Sequence, residues 1–239
     1  MLILFIPLHG CKKVEQSGGA ELSSPSEQEL HGAPEITNDT RSRSDDHPLL
    51  KFSDVSNSTG IDFFHVSGDC EQKPFPAANG SGVAAFDYDL DGWYDLYFLN
   101  GTTFPISKDS HGPHDCFYRN RTAWSFSNAT EVTGLGSFGY STGVVSADFN
   151  NDGFPDVYVN CFGENCYYIN LGDGSFLETA QDSGIADPSW GTSAAALDFD
   201  NDGDLDLYVC NYAEWTWETN QFCGNRNENI RIFCSPRTV

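Results

Sequence analysis

Asp87-Tyr-Asp-Leu-Asp-Gly-Trp-Tyr-Asp95 recurs twice further along the chain, as Asp148-Phe-Asn-Asn-Asp-Gly-Phe-Pro-Asp156 and Asp198-Phe-Asp-Asn-Asp-Gly-Asp-Leu-Asp206. Each copy places carboxylate or amide oxygens at positions 1, 3 and 5, glycine at 6 and an acid at 9. That pattern suits a hard cation such as Ca²⁺, which gathers oxygens at about 2.3–2.6 Å. Gly92, Gly153 and Gly203 permit the sharp turn, and the carbonyl at position 7 is placed to join the set. The expected ligands are Asp87, Asp89, Asp91, Trp93 and Asp95, then Asp148, Asn150, Asp152, Phe154 and Asp156, then Asp198, Asp200, Asp202, Asp204 and Asp206. About three Ca²⁺ ions would fill them, one per loop. One acidic turn is ordinarily a solvated surface feature, but three in the same register are poorly explained that way.

The loops are not EF-hands. An EF-hand needs a bidentate Glu at position 12, where this chain has Phe98, Val159 and Val209. The flanks read as strands instead: small or β-branched runs precede each loop (Gly82 to Phe86, Gly143 to Ala147, Ser193 to Leu197), and alternation around a tyrosine follows (Leu96-Tyr97-Phe98, Val157-Tyr158-Val159, Leu207-Tyr208-Val209). Tandem calcium β-helices are excluded because the loops begin 61 and 50 residues apart.

The repeat extends beyond the loops. Cys116-Phe-Tyr-Arg-Asn120 matches Cys166-Tyr-Tyr-Ile-Asn170 at an offset of 50, as Phe126 matches Phe176. Phe52, Phe126 and Phe176 are each followed eight residues later by Gly60-Ile61, Gly134-Leu135 and Gly184-Ile185. The additional length of the first unit falls in the turn-rich stretch 101–115 and reads as a surface insertion. A unit of about 50 residues with three or four short strands is a propeller blade, so the expected fold is all-β, with about three blades and one calcium loop per blade.

The segments FDYDLDGWYDLYFLNG, ADFNNDGFPDVYVN and LDFDNDGDLDLYVCNY resemble the FG-GAP (VCBS) repeats of integrin α subunits. Together with Phe52-Ser-Asp-Val55, Gly60-Ile61, Asn211-Tyr212, Trp215 and Phe233-Cys234-Ser235-Pro236, they resemble the cartilage acidic protein family, whose bacterial relatives carry an ASPIC/UnbV domain. The resemblance covers roughly residues 52 to 239 and implies a closed propeller, commonly of seven blades. Three loops and no stretch matching ASPIC/UnbV make the chain read as an incomplete bacterial copy.

Three regions are expected. Residues 1–11 read as a signal segment: the apolar run Leu2 to Leu8 is too short to span a bilayer, and Leu8-His9-Gly10-Cys11 resembles a lipobox with Cys11 as the lipidated residue. Residues 12–51 lack aromatic side chains and read as a disordered polar tether. Residues 52–239 carry the propeller segment. Expected localisation is extracytoplasmic: a bacterial outer-membrane or cell-surface lipoprotein, or a secreted protein. Membrane contact is expected only through Cys11.

With 35 acids against 12 bases and a net charge of −23, nucleic acid and anionic surfaces are disfavoured partners. Eight cysteines suit an oxidising compartment, with Cys161 to Cys166 and Cys223 to Cys234 as local disulfide candidates. The absence of any Cys-x-x-Cys pair argues against zinc.

No catalytic constellation emerges. His111-Gly-Pro-His114-Asp115 is the nearest approach, but its glycine and proline favour a polar loop; His65 stands in an apolar strand-like run. Trp215 and Trp217 could offer a sugar platform or simply pack in the propeller, the favoured reading. The expected function is a non-catalytic calcium-binding module recognising an extracellular protein or glycan; a secreted, polysaccharide-active enzyme is the alternative. Propellers host unrelated activities, so the ligand itself is not specified.

Overall fold

Each aspartate ladder forms the turn between the first two strands of an antiparallel sheet, in a computed structural model that describes residues 52–106, 112–122, 124–137 and 139–236, and the main chain of 3–6. The strands are β1 (Ile3–Ile6), β2 (Val83–Phe86), β3 (Asp95–Phe98), β4 (Cys116–Thr122), β5 (Ser125–Asn128), β6 (Ser141–Ala147), β7 (Asp156–Cys161), β8 (Cys166–Asn170), β9 (Phe176–Glu178), β10 (Gly191–Leu197), β11 (Asp206–Asn211), β12 (Cys223–Asn225) and β13 (Ile230–Ile232). Among the described residues they build two four-stranded sheets, β2-β3-β4-β5 and β6-β7-β8-β9, a three-stranded sheet β1-β11-β10, and the hairpin β12-β13. A single helical turn, α1 (Thr130–Thr133), follows β5.

Register repeats with the sequence. Position 9 of each ladder opens the second strand and pairs with the last residue of the first: Asp95 with Phe86, Asp156 with Ala147, Asp206 with Leu197. The third strand then meets the second at Leu96 with Tyr118 and at Val157 with Tyr168. These are the four-stranded meanders expected of blades.

Blades pack face to face through the alternation of side chains along their strands. Val157 and Val159 of β7 join Phe86, Tyr97, Leu99 and Phe117 in a core on one side, while Tyr158 joins Phe149, Ile185, Leu207 and Val209 on the other. Consequently all six residues of β7 are buried, whereas the exposed faces of β2 and β10 alternate. The first strands approach closely: a Cβ on Gly143 would collide with the carbonyl oxygen of Thr192. Thr142, bulged out of the β6 ladder, donates to the carbonyls of Asn160 and Gly191 and so stitches two blades together.

The meander gives the sheets two unlike rims. The ladders and the β4–β5 and β8–β9 turns lie at one rim; the β3–β4 and β7–β8 connections lie at the other. An aromatic group associated with the second set of connections packs Phe75, Trp190 and Trp215 with Phe104, Phe162 and Trp217. Trp215 is buried, and Trp217 lies parallel to Phe104 at 6.1 Å, in accord with the packing reading.

Several expectations are revised. One compact unit takes in residues 55–236 together with the strand Ile3–Ile6. Phe52 is 92 % exposed, although Phe126 and Phe176 at the corresponding repeat position are buried. Among the described residues the chain following Phe52 is irregular backbone and a short 3-10 turn. Within the expected signal segment, the main chain of Ile3–Ile6 runs antiparallel to Leu207–Cys210. Phe5 opposite Tyr208 holds the same place in the third sheet as Phe117 opposite Tyr97 in the first. Cys11, His111 and the tether 12–51 lie outside the described residues.

The disulfide Cys223–Cys234 closes the β12-β13 hairpin. The expected Cys161–Cys166 bridge is not formed, and both are free thiols. Cys166 pairs with Val159 in the ladder, the Cys161 N–H is tied to the Asn165 side chain at 2.7 Å, and the two thiols contact each other. The two thiols line one cavity of about 400 Å³ together with Ser137, Tyr140 and Glu178.

Candidate metal centres in the aspartate loops

The position-1 carboxylate folds its own loop. Asp87 accepts the N–H groups of Asp91 at 3.0 Å and Gly92 at 2.8 Å; Asp148 accepts those of Asp152 at 3.1 Å and Gly153 at 2.9 Å. Asp198 accepts the Gly203 N–H at 3.2 Å. Position 5 then caps position 7, with Asp91 to Trp93, Asp152 to Phe154 and Asp202 to Asp204 each at 2.9 Å. Two residues per loop take left-handed backbone. Position 6 is glycine throughout; position 4 is Leu90, Asn151 or Asn201, at φ 57°, 59° and 62°. Asparagine accepts that conformation readily and leucine does not.

Position 9 does something the sequence pattern does not announce. Asp95 is buried and accepts the N–H of Tyr88 at 3.3 Å and of Asn120 at 2.7 Å, joining the loop to the third strand. Asp156 repeats this with Phe149 at 3.3 Å and Asn170 at 2.9 Å, and adds the Tyr167 hydroxyl at 3.0 Å. Burial pushes both carboxyls up to about 6, against the pull of these donors. Asp206 accepts the Phe199 N–H at 2.8 Å.

The ligating atoms converge. Carboxylate oxygens of Asp87, Asp89 and Asp95 lie within 4.8 Å of one another, as do those of Asp198, Asp200 and Asp206. In the second loop Asn150 replaces the position-3 acid, and its amide donates to Asp152 at 2.9 Å. The donor set is hard oxygen throughout, which fits Ca²⁺ and not a soft metal. Asp89 Oδ1 is buried without a hydrogen-bond partner, an oxygen whose demand a cation would meet. Burial raises the Asp89 carboxyl, opposed by the adjacent Arg119 guanidinium. Neighbouring loops also touch: Asn151 donates to Asp204 at 2.7 Å.

The described residues weighed for catalysis make hydrogen bonds within the fold. Asp115 is buried, accepting the Asn100 N–H at 2.6 Å, the Ser141 hydroxyl at 2.7 Å and the Tyr97 hydroxyl at 3.2 Å. Asn165, 50 residues on, has the same task, accepting the Cys161 N–H and donating to the Tyr158 hydroxyl at 3.0 Å. His114 contacts the Gly112 carbonyl through Nδ1 at 3.2 Å, and His65 contacts the Ser81 hydroxyl at 3.2 Å. The offset of 50 was the signal that could have identified Asp115 as a brace.

The family model of the FG-GAP-like repeat matches residues 106–159 and again 148–209. These stretches span the second and third ladders and the strands beside them, so the chain carries FG-GAP-like repeats on blade-like sheets. No curated protein matches the chain.

Proposed function

We propose that this chain is a non-catalytic recognition module that works outside the cytoplasm, built from propeller blades whose aspartate loops bind Ca²⁺. The observation that carries this reading is the repeated convergence of Asp87, Asp89 and Asp95 and of Asp198, Asp200 and Asp206, on repeats of the FG-GAP-like type. In the first loop Asp87, Asp89, Asp91 and Asp95 would hold the ion with the Trp93 carbonyl; Asp148, Asn150, Asp152, Asp156 and the Phe154 carbonyl form the second set. The third is Asp198, Asp200, Asp202 and Asp206 with the Asp204 carbonyl. The ion's chemistry is mechanical: it neutralises crowded carboxylates and fixes the turn between the first two strands.

With that rim committed to structure, recognition falls to the opposite connections, which would meet an extracellular protein or glycan above the buried aromatic group. Among the described residues no helix is long and apolar enough to cross a membrane. Two measurements test the reading. Melting in calcium against chelator should differ, because an ion that binds only the folded state must stabilise it; identical curves would remove calcium from the account. A glycan and peptide array should then register chelator-sensitive binding without turnover, and product release would replace the module with an enzyme.

A further inference from the structure

The first and second ladders differ in one correlated pair. Arg119 of β4 turns back toward the first loop, with its guanidinium 2.5 Å from Asp89 and 3.5 Å from Asp91. It also lies over the Tyr88 ring at 5.8 Å. Fifty residues on, Ile169 holds the same place in β8, between Tyr168 and Asn170 as Arg119 lies between Tyr118 and Asn120. Where the second blade has isoleucine, its ladder also has Asn150 in place of Asp89. In these two blades the acid goes with the arginine and the amide with the isoleucine, while the third ladder has the acid Asp200 at that position.

We propose that Arg119 is an internal counter-ion that competes with a divalent cation for Asp89 and Asp91 and thereby sets the affinity of the first loop. This rests on the reading of the ladders as calcium sites. Guanidinium and cation make opposed demands on the same oxygens: Asp89 Oδ2 pairs with Arg119, while Asp89 Oδ1 and Arg119 Nε are both buried without hydrogen-bond partners. The pair is therefore only partly satisfied, as expected of a contact held in exchange for another. Without an ion, Arg119 offsets the repulsion among four acids; with one, the same positive charge opposes binding.

Trp93 makes the first loop separately readable. It stands at position 7, where the other ladders have Phe154 and Asp204, so terbium(III) emission sensitised through tryptophan reports the first loop. The full chain, Arg119→Ile and Arg119→Lys are titrated with terbium(III), and total uptake of calcium is followed by calorimetry. Trp93→Phe should lower the emission to what Trp124 on the same rim contributes, while calorimetric uptake persists. Arg119→Ile should bind roughly three- to fivefold tighter at the first loop, the scale of one partly exposed charge contact. Arg119→Lys, with one point of charge and no fork, should fall between the two. Melting should widen the same contrast, with Arg119→Ile less stable than the parent in chelator and level with it in calcium. Equal terbium midpoints in the three proteins would overturn the proposal, as would calorimetric uptake with no emission through Trp93. Absence of calorimetric uptake in all of them would instead overturn the calcium reading on which it rests.

Discussion

Asp156 accepts the main-chain N–H of Asn170 at 2.9 Å, tying an aspartate loop to the third strand of its sheet. The same carboxylate receives Phe149 N–H and the Tyr167 hydroxyl, with no exposure to water. Position 9 is thus a strut for the blade, whatever it contributes to an ion.

Asp156→Ala should therefore cost more than a surface acid ever does. Three buried donors would lose their acceptor, and the loss is expected at about 3–5 kcal/mol. Urea denaturation in chelator checks it, since the ion's contribution is then absent. A loss below about 1 kcal/mol would mean that water or a neighbour takes over these donors.

Leu90 offers the opposite case. It is exposed, holds φ at 57°, and occupies the position filled by Asn151 and Asn201 in the other ladders. Leu90→Asn should stabilise the protein by about 0.5–1 kcal/mol by relieving left-handed strain without sacrificing burial. A lower denaturation midpoint for the variant would show that the leucine side chain is engaged after all.

Asp115 predicts a pH dependence with a definite sign. Burial raises its carboxyl from the ordinary 3.8 to about 7, so the folded protein holds a proton that the unfolded chain releases earlier. Its contribution is full below the unfolded value and is lost as pH climbs toward the folded one, by up to about 1.4 kcal/mol per pH unit. Asn165 shows that an amide performs the same bracing task, so Asp115→Asn should fold and lack this slope. Paired denaturation curves at about pH 5 and about pH 8 separate the two. Parallel behaviour of parent and variant would assign the titration elsewhere.

The Cys223–Cys234 bond closes a short hairpin outside the three blade-like sheets. Replacing both cysteines by serine should loosen β12 and β13 while sparing β11. Amide exchange should quicken at Gly224 and Arg231, which pair across the hairpin, and stay slow at Leu207 and Val209, which are buried. Faster exchange throughout would make the hairpin part of the cooperative core.

Much of this architecture was legible because a blade writes its register into the chain. The ladders, the tyrosine-centred second strands and the match of Cys116 with Cys166 fix spacing, and spacing fixes which strands meet. What escaped depends on partners remote in sequence. Asp95 looks like any other ladder acid until Asn120 arrives beside it, and Phe52 looks like Phe126 although its side chain is exposed. Cys161 and Cys166 are close along the chain and their thiols meet in space, yet they stand as free thiols, which spacing alone does not tell. Arg119 was visible only as one letter of a repeated motif; its meaning lies in Asp89 and Asp91, at distances no spacing rule supplies.

The two rims of these sheets face unequal constraints on change. At the ladder rim nearly every position has a fixed duty, so substitutions there should be purged in every repeat alike. The opposite connections already differ in length and composition between adjacent repeats, yet the struts beneath them persist. Sequence change can therefore accumulate on one side of the sheets while the other preserves their assembly, a division that lets a repeat be copied without its connecting loops being copied with it.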